Sequence, residues 1–567
     1  MKLSLSVIGL LILVLLIGGC GTEEPPSGGA ASGTQASEQT GESAGMLTIT
    51  SFSSIRLIRP DNCSEQAKLT IGEVSRKLSA LTGASVQNLT ESAAAKGPVS
   101  GTVNIWLGQC GAEAPQTVLQ RLSYGEYGVY IVGDAIVVAA WSDSALSHAC
   151  SNLLNLLSLA SENGVIRVNS EHNRTLIENQ TLAAIPKYSD SAVKTVYDCG
   201  DEGWMVCLAS DRTEFERYLA ELPAEGFVKH SENRIGSNAF AVYQTERYIL
   251  NAGWYEGTGE VRLFIDPADD CALPIQSPSG ATVCTPTMAQ LRHLVPGSTT
   301  ALGMGYVFRA SDGRFVLIDG GVGNSGEEDY LFDYLCRNAP DPGDIRIAAW
   351  FFTHGHGDHV GLFHDFAAKY AEQVTVEQFV YNRPSNSYHA ALPEGLWEQT
   401  EAAIQRYFPN AGCVKAHPGQ AFSVADLTIE VYFGIELYAP ENGRYNDTSL
   451  VLSAAFAGTR LLFMGDSSDH VEGLIRTLYG LELKSDFLQL AHHGYAGGGT
   501  NGELYRLVAP DYVLMPGTME VYEERKGRSY LQPLVEAVPF ERWFVADICT
   551  YVFDFGGDNG VSASVWA

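Results

Sequence analysis

The residues best suited to chemistry lie together in Thr353-His354-Gly355-His356-Gly357-Asp358-His359. Residues two apart on extended backbone point the same way, so His354 and His356 can grip one metal ion. Asp358 and His359, at the turn and helix start beyond, can reach a second position nearby. The small Gly355 and Gly357 permit the tight backbone path this requires. Three imidazoles and a carboxylate at this spacing suit zinc, manganese or iron, whereas calcium calls for oxygen ligands. A lone buried histidine is usually a hydrogen-bonded core residue. Four candidate ligands directly behind the apolar run Ile345–Phe352 are not explained that way.

The elements that must position these groups alternate strand with helix. Thr300–Arg309 and Arg314–Ile318 read as strands joined by Ser311-Asp312-Gly313, with Asp319 directly after them. A helix over Glu327–Cys336 leads to the strand Ile345–Phe352. Further on, the strand Arg460–Gly465 ends at Asp466, and Phe487–Ala491 runs into His492-His493-Gly494. This order of motifs, from about 301 to the C-terminus, resembles the metallo-β-lactamase superfamily, whose signature is HxHxDH.

The resemblance implies an αββα sandwich holding two divalent metal ions: zinc, with manganese or iron as alternatives. It implies His354, His356 and Asp466 at one metal with an open place for water or substrate. At the other it implies Asp358, His359, Asp466 and one histidine of the pair. His493 is the favoured ligand and His492 the group facing the scissile bond, with the reverse assignment open. Asp319 would orient the site from beneath. Many relatives carry a separate histidine ligand before the bridging aspartate. Here that place holds Tyr445-Asn446-Asp447-Thr448-Ser449-Leu450-Val451, read as a strand, and the loose candidates are His364, His389 and His417. The Asn446 strand with the paired histidines resembles two branches, the DNA-uptake competence protein and the choline-phosphate esterases. Asn446 would then hydrogen-bond substrate or pack its strand. Arg528–Pro533 replaces a further histidine of the first branch, which implies a diverged pocket.

The implied reaction is hydrolysis by metal-activated water, with phosphodiesters at the cell surface as the first substrate class. Asp358 or His492 would move the proton. The alternatives are ester, lactone or β-lactam hydrolysis on the same centre, or a surface-anchored binding protein with a non-catalytic metal site.

The N-terminus carries a different signal. Met1-Lys2 precedes the apolar run Leu3–Ile17 and then Gly18-Gly19-Cys20. So short a run ending in small residues reads as a signal peptide and not a spanning helix. The Leu-to-Cys20 ending resembles the bacterial lipobox, implying lipidation of Cys20 and an extracytoplasmic, membrane-anchored protein. Two acyl chains suffice for stable anchoring. Residues 21–45, rich in Gly, Ser, Thr and Glu, form a flexible linker.

At 567 residues the chain needs several domains. The fold class is α/β, with the sandwich over 287–567 preceded by two small α/β or α+β domains, 46–186 and 187–286. In the first, Ile71–Leu81 has helical spacing, Tyr124–Ala140 reads as a hairpin turning at Gly133-Asp134, and a helix follows over Ser144–Leu159. The pattern resembles the accessory domain that precedes the barrel of several glycoside hydrolases, where it is not catalytic. The second reads as an antiparallel meander beside a helix at Arg212–Leu222. The net charge of -30, from 66 acids and 36 bases, argues against a stable nucleic-acid complex. No CxxC pair occurs. Cys199 with Cys207 and Cys271 with Cys284 are the near-sequence disulfide candidates, and buried thiols are an equal alternative.

Overall fold

The run Ala135–Ala140 (AIVVAA) buries every side chain, because its sheet is covered on both faces. A computed structural model describes residues 45–96, 101–188, 193–198, 204–278, 282–292, 303–384, 395–435, 445–495, 501–557 and 560–566. Within it residues 45–567 pack as one compact unit. Cys20, the segment 1–20, Cys199 and His389 lie outside the described residues.

The first sheet has the order Ser85–Thr90, Ser54–Arg59, Thr102–Leu107, Ala135–Ala140, Glu126–Val132 and Arg174–Ile177. Its first four strands are parallel, and the last two are antiparallel additions. Helices Glu65–Thr82 and Asp143–Leu159 cover one face through Ile71, Leu78, Ala149 and Leu153. Each helix starts on a serine whose hydroxyl accepts a backbone N–H, Ser64 from Ala67 and Ser142 from Ala145.

The second sheet is antiparallel throughout, in the order Val193–Asp198, Trp204–Ala209, Glu260–Pro267, Tyr248–Tyr255, Asn238–Gln244 and Val228–Ile235. One face shares a core with the first sheet, where Val137, Ala139 and Trp141 meet Phe215, Leu250 and Leu263. The other face gives Ile235, Phe240 and Tyr255 to a core built with Val471, Ile475 and Tyr479 of helix Asp469–Tyr479. The seam is specific as well as apolar. Asn238 Nδ2 donates to Leu478 O at 2.8 Å, and a Cβ on Gly419 would stand 2.0 Å from the Phe240 ring.

The rest is a four-layer sandwich. An eight-stranded sheet from Gln276–Pro278 to Trp543–Val545 faces a nine-stranded sheet centred on Ile345–Phe351 and Phe315–Asp319. Between them lie Phe308, Phe351, Phe422, Phe456 and Phe463. Helices Glu327–Asn338, Gly357–Tyr370 and Trp397–Tyr407 cover one outer face, and Asp469–Tyr479, Glu503–Val508 and Gln532–Ala537 the other. This is the αββα arrangement. Strand Gln276–Pro278 precedes residue 287 yet pairs with Ala421–Ala425, so the sandwich begins earlier than the sequence boundary.

One expectation is corrected and one open alternative is resolved. Asn446 is not in a strand: Tyr445–Thr448 forms a 3₁₀ turn, closed by Thr448 Oγ1 donating to Tyr445 O at 2.7 Å, and the strand starts at Val451. Cys271 and Cys284 are not joined. Both are free thiols, and Cys284 Sγ rests 3.2 Å from Ala310 O.

Candidate metal centre

Strand Ile345–Phe351 runs parallel between Phe315–Asp319 and Gln378–Tyr381. Its continuation delivers Thr353 and His354 at the sheet's carboxyl edge. His356 is the N-cap residue of helix Gly357–Tyr370, with Asp358 and His359 in the first turn. That places the Asp358 carboxylate at the helix's positive end. Asp466 arrives from strand Thr459–Phe463 of the facing sheet. Its N–H donates to Ser449 Oγ at 3.1 Å, while Gln489 Oε1 accepts from Met464 N and Gly465 N at 2.6 and 2.8 Å.

The paired histidines follow strand Phe487–Gln489 with φ of 48° at His492 and 53° at His493. Left-handed backbone costs an L-residue roughly 1–2 kcal/mol, and two in succession persist only where the surroundings enforce them. The two rings then approach different oxygens of Asp466. His493 Nε2 lies 3.5 Å from Asp466 Oδ1, and His492 Nε2 lies 3.9 Å from Oδ2.

Two groups result. In one, ligand atoms of His354, His356 and Asp466 lie within 4.8 Å of one another; in the other, those of Asp358, His359, Asp466 and His493 do. His354 Nε2 is 3.8 Å from Asp466 Oδ2, whereas His359 Nε2 is 3.2 Å from Oδ1. The two oxygens of Asp466 therefore serve different groups. His493 Nε2 is 3.2 Å from Asp358 Oδ2.

Hydrogen bonds outside the groups fix the rings. His359 Nδ1–H donates to Asp319 Oδ2 at 2.7 Å, and the same carboxylate accepts from Thr353 N and Thr353 Oγ1, each at 2.7 Å. His493 Nδ1–H donates to Pro516 O at 2.5 Å. Both rings thereby turn a bare Nε2 inward. His359 Nε2, His493 Nε2 and Asp466 Oδ1 are buried and make no hydrogen bond. Such atoms are rare in folded proteins and call for a partner. Converging imidazoles and carboxylates are the donor set of a transition-metal or zinc site, so the residues fit the metals that the sequence implies.

Burial and the mutual charges of the site shift its groups in opposite directions. Burial works against charge on Asp466, yet His359, His493 and His354 hold its carboxyl well below the usual range. Burial disfavours a charged His359, but Asp466 and Asp319 raise its pKa well above the ordinary value. Burial depresses His354, with His359 adding to the effect, and burial likewise lowers His492. Asp358 stays below the usual range against its burial because His359 and His493 face it.

His492 stands beside both groups. Its Nε2 is 3.2 Å from Asn446 Nδ2, and its side chain is about one-third exposed, at 35%. His364 and His417 lie elsewhere: His364 Nε2 contacts Thr400 Oγ1 at 2.9 Å, and His417 is held 2.6 Å from Asp266. Sequence reasoning missed a wedge beneath the first group. Tyr445 stacks on His356 with centroids 4.7 Å apart and an interplanar angle of 25°. A Cβ on Gly355 would stand 2.7 Å from both the Tyr445 hydroxyl and Trp397 Nε1. Nothing in an ordinary amphipathic helix marks Trp397, whereas the tyrosine adjoining Asn446 was the available signal.

Residues 302–395 match the model of the metallo-beta-lactamase superfamily, and the sandwich carrying them has that superfamily's fold. No curated protein matches the sequence. Among solved structures, zinc-bound PqqB from Methylobacterium extorquens aligns at 12% identity over 46% of this chain and 96% of its own, with a TM-score of 0.27. Unliganded yeast PDE1 aligns at 11% identity over 46% and 98%, with a TM-score of 0.31. CmlA, a diiron β-hydroxylase from Streptomyces venezuelae, aligns at 14% identity over 45% and 47%, with a TM-score of 0.26. Likenesses this distant carry no functional weight here. The residues matching the metallo-beta-lactamase superfamily model thus lie in an αββα sandwich with a candidate metal site.

Proposed function

We propose that this chain is a dinuclear metallohydrolase acting on phosphodiesters, anchored through Cys20 to the outer face of a membrane. The observation that carries the reading is the division of Asp466, with Oδ2 toward His354 and Oδ1 toward His359 and His493. His354, His356 and Asp466 would hold one ion, and Asp358, His359, Asp466 and His493 the other. Zinc is the first choice for this donor set, with manganese or iron as alternatives. Metals bound there would supply a lowered pKa for water and positive charge for a reacting phosphate.

The chain's own groups do the rest. Asp319 and Pro516 O keep His359 and His493 in the tautomer that presents Nε2. Gln489 and Ser449 hold the Asp466 turn. His492, whose pKa burial lowers, accepts from Asn446 Nδ2 at Nε2, and that bare nitrogen can take up a proton released at the site. Asn446 then serves as a polar contact at the rim.

The test is hydrolysis of bis(p-nitrophenyl) phosphate by the zinc- or manganese-loaded protein beside Asp358→Ala and His492→Ala. The expected result is turnover that Asp358→Ala abolishes and His492→Ala lowers roughly 10²-fold, the scale of general acid–base catalysis. Turnover of nitrocefin or a lactone without phosphodiester cleavage would replace this reading with acyl-group hydrolysis.

A further inference from the structure

The first sheet changes winding direction between Ser54–Arg59 and Thr102–Leu107. The chain passes from Ser54–Arg59 to one neighbour, Ser85–Thr90, then crosses back to the other. In open parallel sheets a crevice forms at the carboxyl ends of strands flanking such a point, and ligands use it. Here a cavity of about 490 Å³ lies at that place. It is fed by Pro60 after the first strand, Gln109 after the second and Trp141 after Ala135–Ala140. Its volume is in the range of small-molecule sites, roughly 300–1,000 Å³. Thr195 and Tyr197 of strand Val193–Asp198 line it from the second sheet.

The chemistry of the walls selects the ligand. Two helices begin at the cavity, but neither start is a vacant anion site. Ser64 and Ser142 already cap them, and Glu65 and Asp143 occupy their first turns. Lys194, the lining cation, is paired with Glu260 at 2.9 Å. A phosphate or carboxylate would therefore meet fixed negative charge and no spare positive charge. What remains, beside the Asp143 carboxylate and the paired Lys194, is a rim of uncharged polar groups over an apolar floor. The rim has the amides of Asn62 and Gln109 and the hydroxyls of Thr195 and Ser144, the last donating to Glu178 and so left to accept; the floor has Ala67, Ile71 and Leu146. Gln109 Nε2 donates to Trp141 O at 2.8 Å, which leaves its Oε1 to accept.

We propose that this cavity is a binding site for a neutral oligosaccharide of about two sugar units, separate from the metal centre. Sugar rings offer hydroxyls that both donate and accept, matching side-chain amides and hydroxyls, and C–H faces that match the floor and Tyr197. The site gives the protein a glycan-holding function beyond hydrolysis.

The test is a glycan array probed with the whole labelled chain, followed by titration of the best neutral oligosaccharide. Four proteins are compared: wild type, Asn62→Ala/Ser144→Ala, Tyr197→Ala and Asp466→Asn. The expected result is binding that falls at least roughly tenfold in the double variant, as loss of two polar contacts implies, and also falls in Tyr197→Ala. Asp466→Asn should bind like wild type. Unaltered melting temperatures keep a folding defect from passing as a binding one. No neutral glycan bound, only charged ligands bound, or binding lost in Asp466→Asn but kept in the other variants would each overturn the proposal.

Discussion

Replacing Asp319 with asparagine tests whether the metal centre depends on a fixed tautomer. The carboxylate accepts three hydrogen bonds at 2.7 Å, from Thr353 N, Thr353 Oγ1 and His359 Nδ1. An amide of the same shape has one accepting oxygen and one donating nitrogen. If the oxygen stays on Thr353 N, the NH₂ group faces His359 Nδ1. The ring must then move its proton to Nε2, the atom that points at Asp466. If the amide flips, its nitrogen opposes a backbone N–H at a site that is 1% exposed, and an unmet buried donor costs about 1–3 kcal/mol. Either arrangement penalises the metal-holding form of His359. Loss of such an orienting partner typically costs 10- to 100-fold in metal affinity, about 1.4–2.7 kcal/mol.

The assay is competition with a chromophoric chelator in two backgrounds. His356→Ala keeps the group of Asp358, His359, Asp466 and His493; His493→Ala keeps the group of His354, His356 and Asp466. The expected result is a 10- to 100-fold loss from Asp319→Asn in the first background and a much smaller change in the second. Equal losses in both, or none in the first, would refute the tautomer argument.

Two further outcomes are expected. Asp266 is 3% exposed; burial pushes its carboxyl up, but His417 and Lys415 pull it from the ordinary 3.8 down to about 2. Its stabilisation, about 2 kcal/mol, is therefore full above pH 3.8 and lost as pH falls toward 2, so Asp266→Asn should cost about that much in denaturant titrations at pH 7 and progressively less in acid. Gly355→Ala should push Tyr445 off His356, because the new Cβ would stand 2.7 Å from its hydroxyl, and metal analysis should show a fall from about two ions per chain to about one.

The heptapeptide was legible as a cluster because its candidate ligands are local: two on extended backbone and two in the next helical turn. Asp466 and the histidine pair were legible as strand ends in a known order. What the sequence withheld depends on long-range approach. The stacking of Tyr445 on His356 joins residues far apart in the chain. The left-handed backbone at His492 and His493, which approach different oxygens of Asp466, has no glycine at either position to announce it. Strand Val228–Ile235 (VKHSENRI) escaped notice because only Ile235 is fully buried, as befits a polar edge strand. Ser85–Thr90, an edge of the first sheet, shows a similarly weak pattern. The Asn446 segment misled because its β-branched and apolar residues look extended, whereas Thr448 bonds its own backbone into a turn.

The shared core at Ile235, Phe240 and Tyr255 governs how this protein can be divided. A fragment beginning at Thr287 would keep every candidate metal ligand and look like a complete catalytic half. It would also strip the cover from helix Asp469–Tyr479, forfeiting roughly 1.5–3 kcal/mol for each of the large apolar side chains that seal it. The bared strip lies on the sheet that carries Asp466. The middle of the chain is thus a wall of the sandwich, and removing it is expected to cost the fragment its solubility.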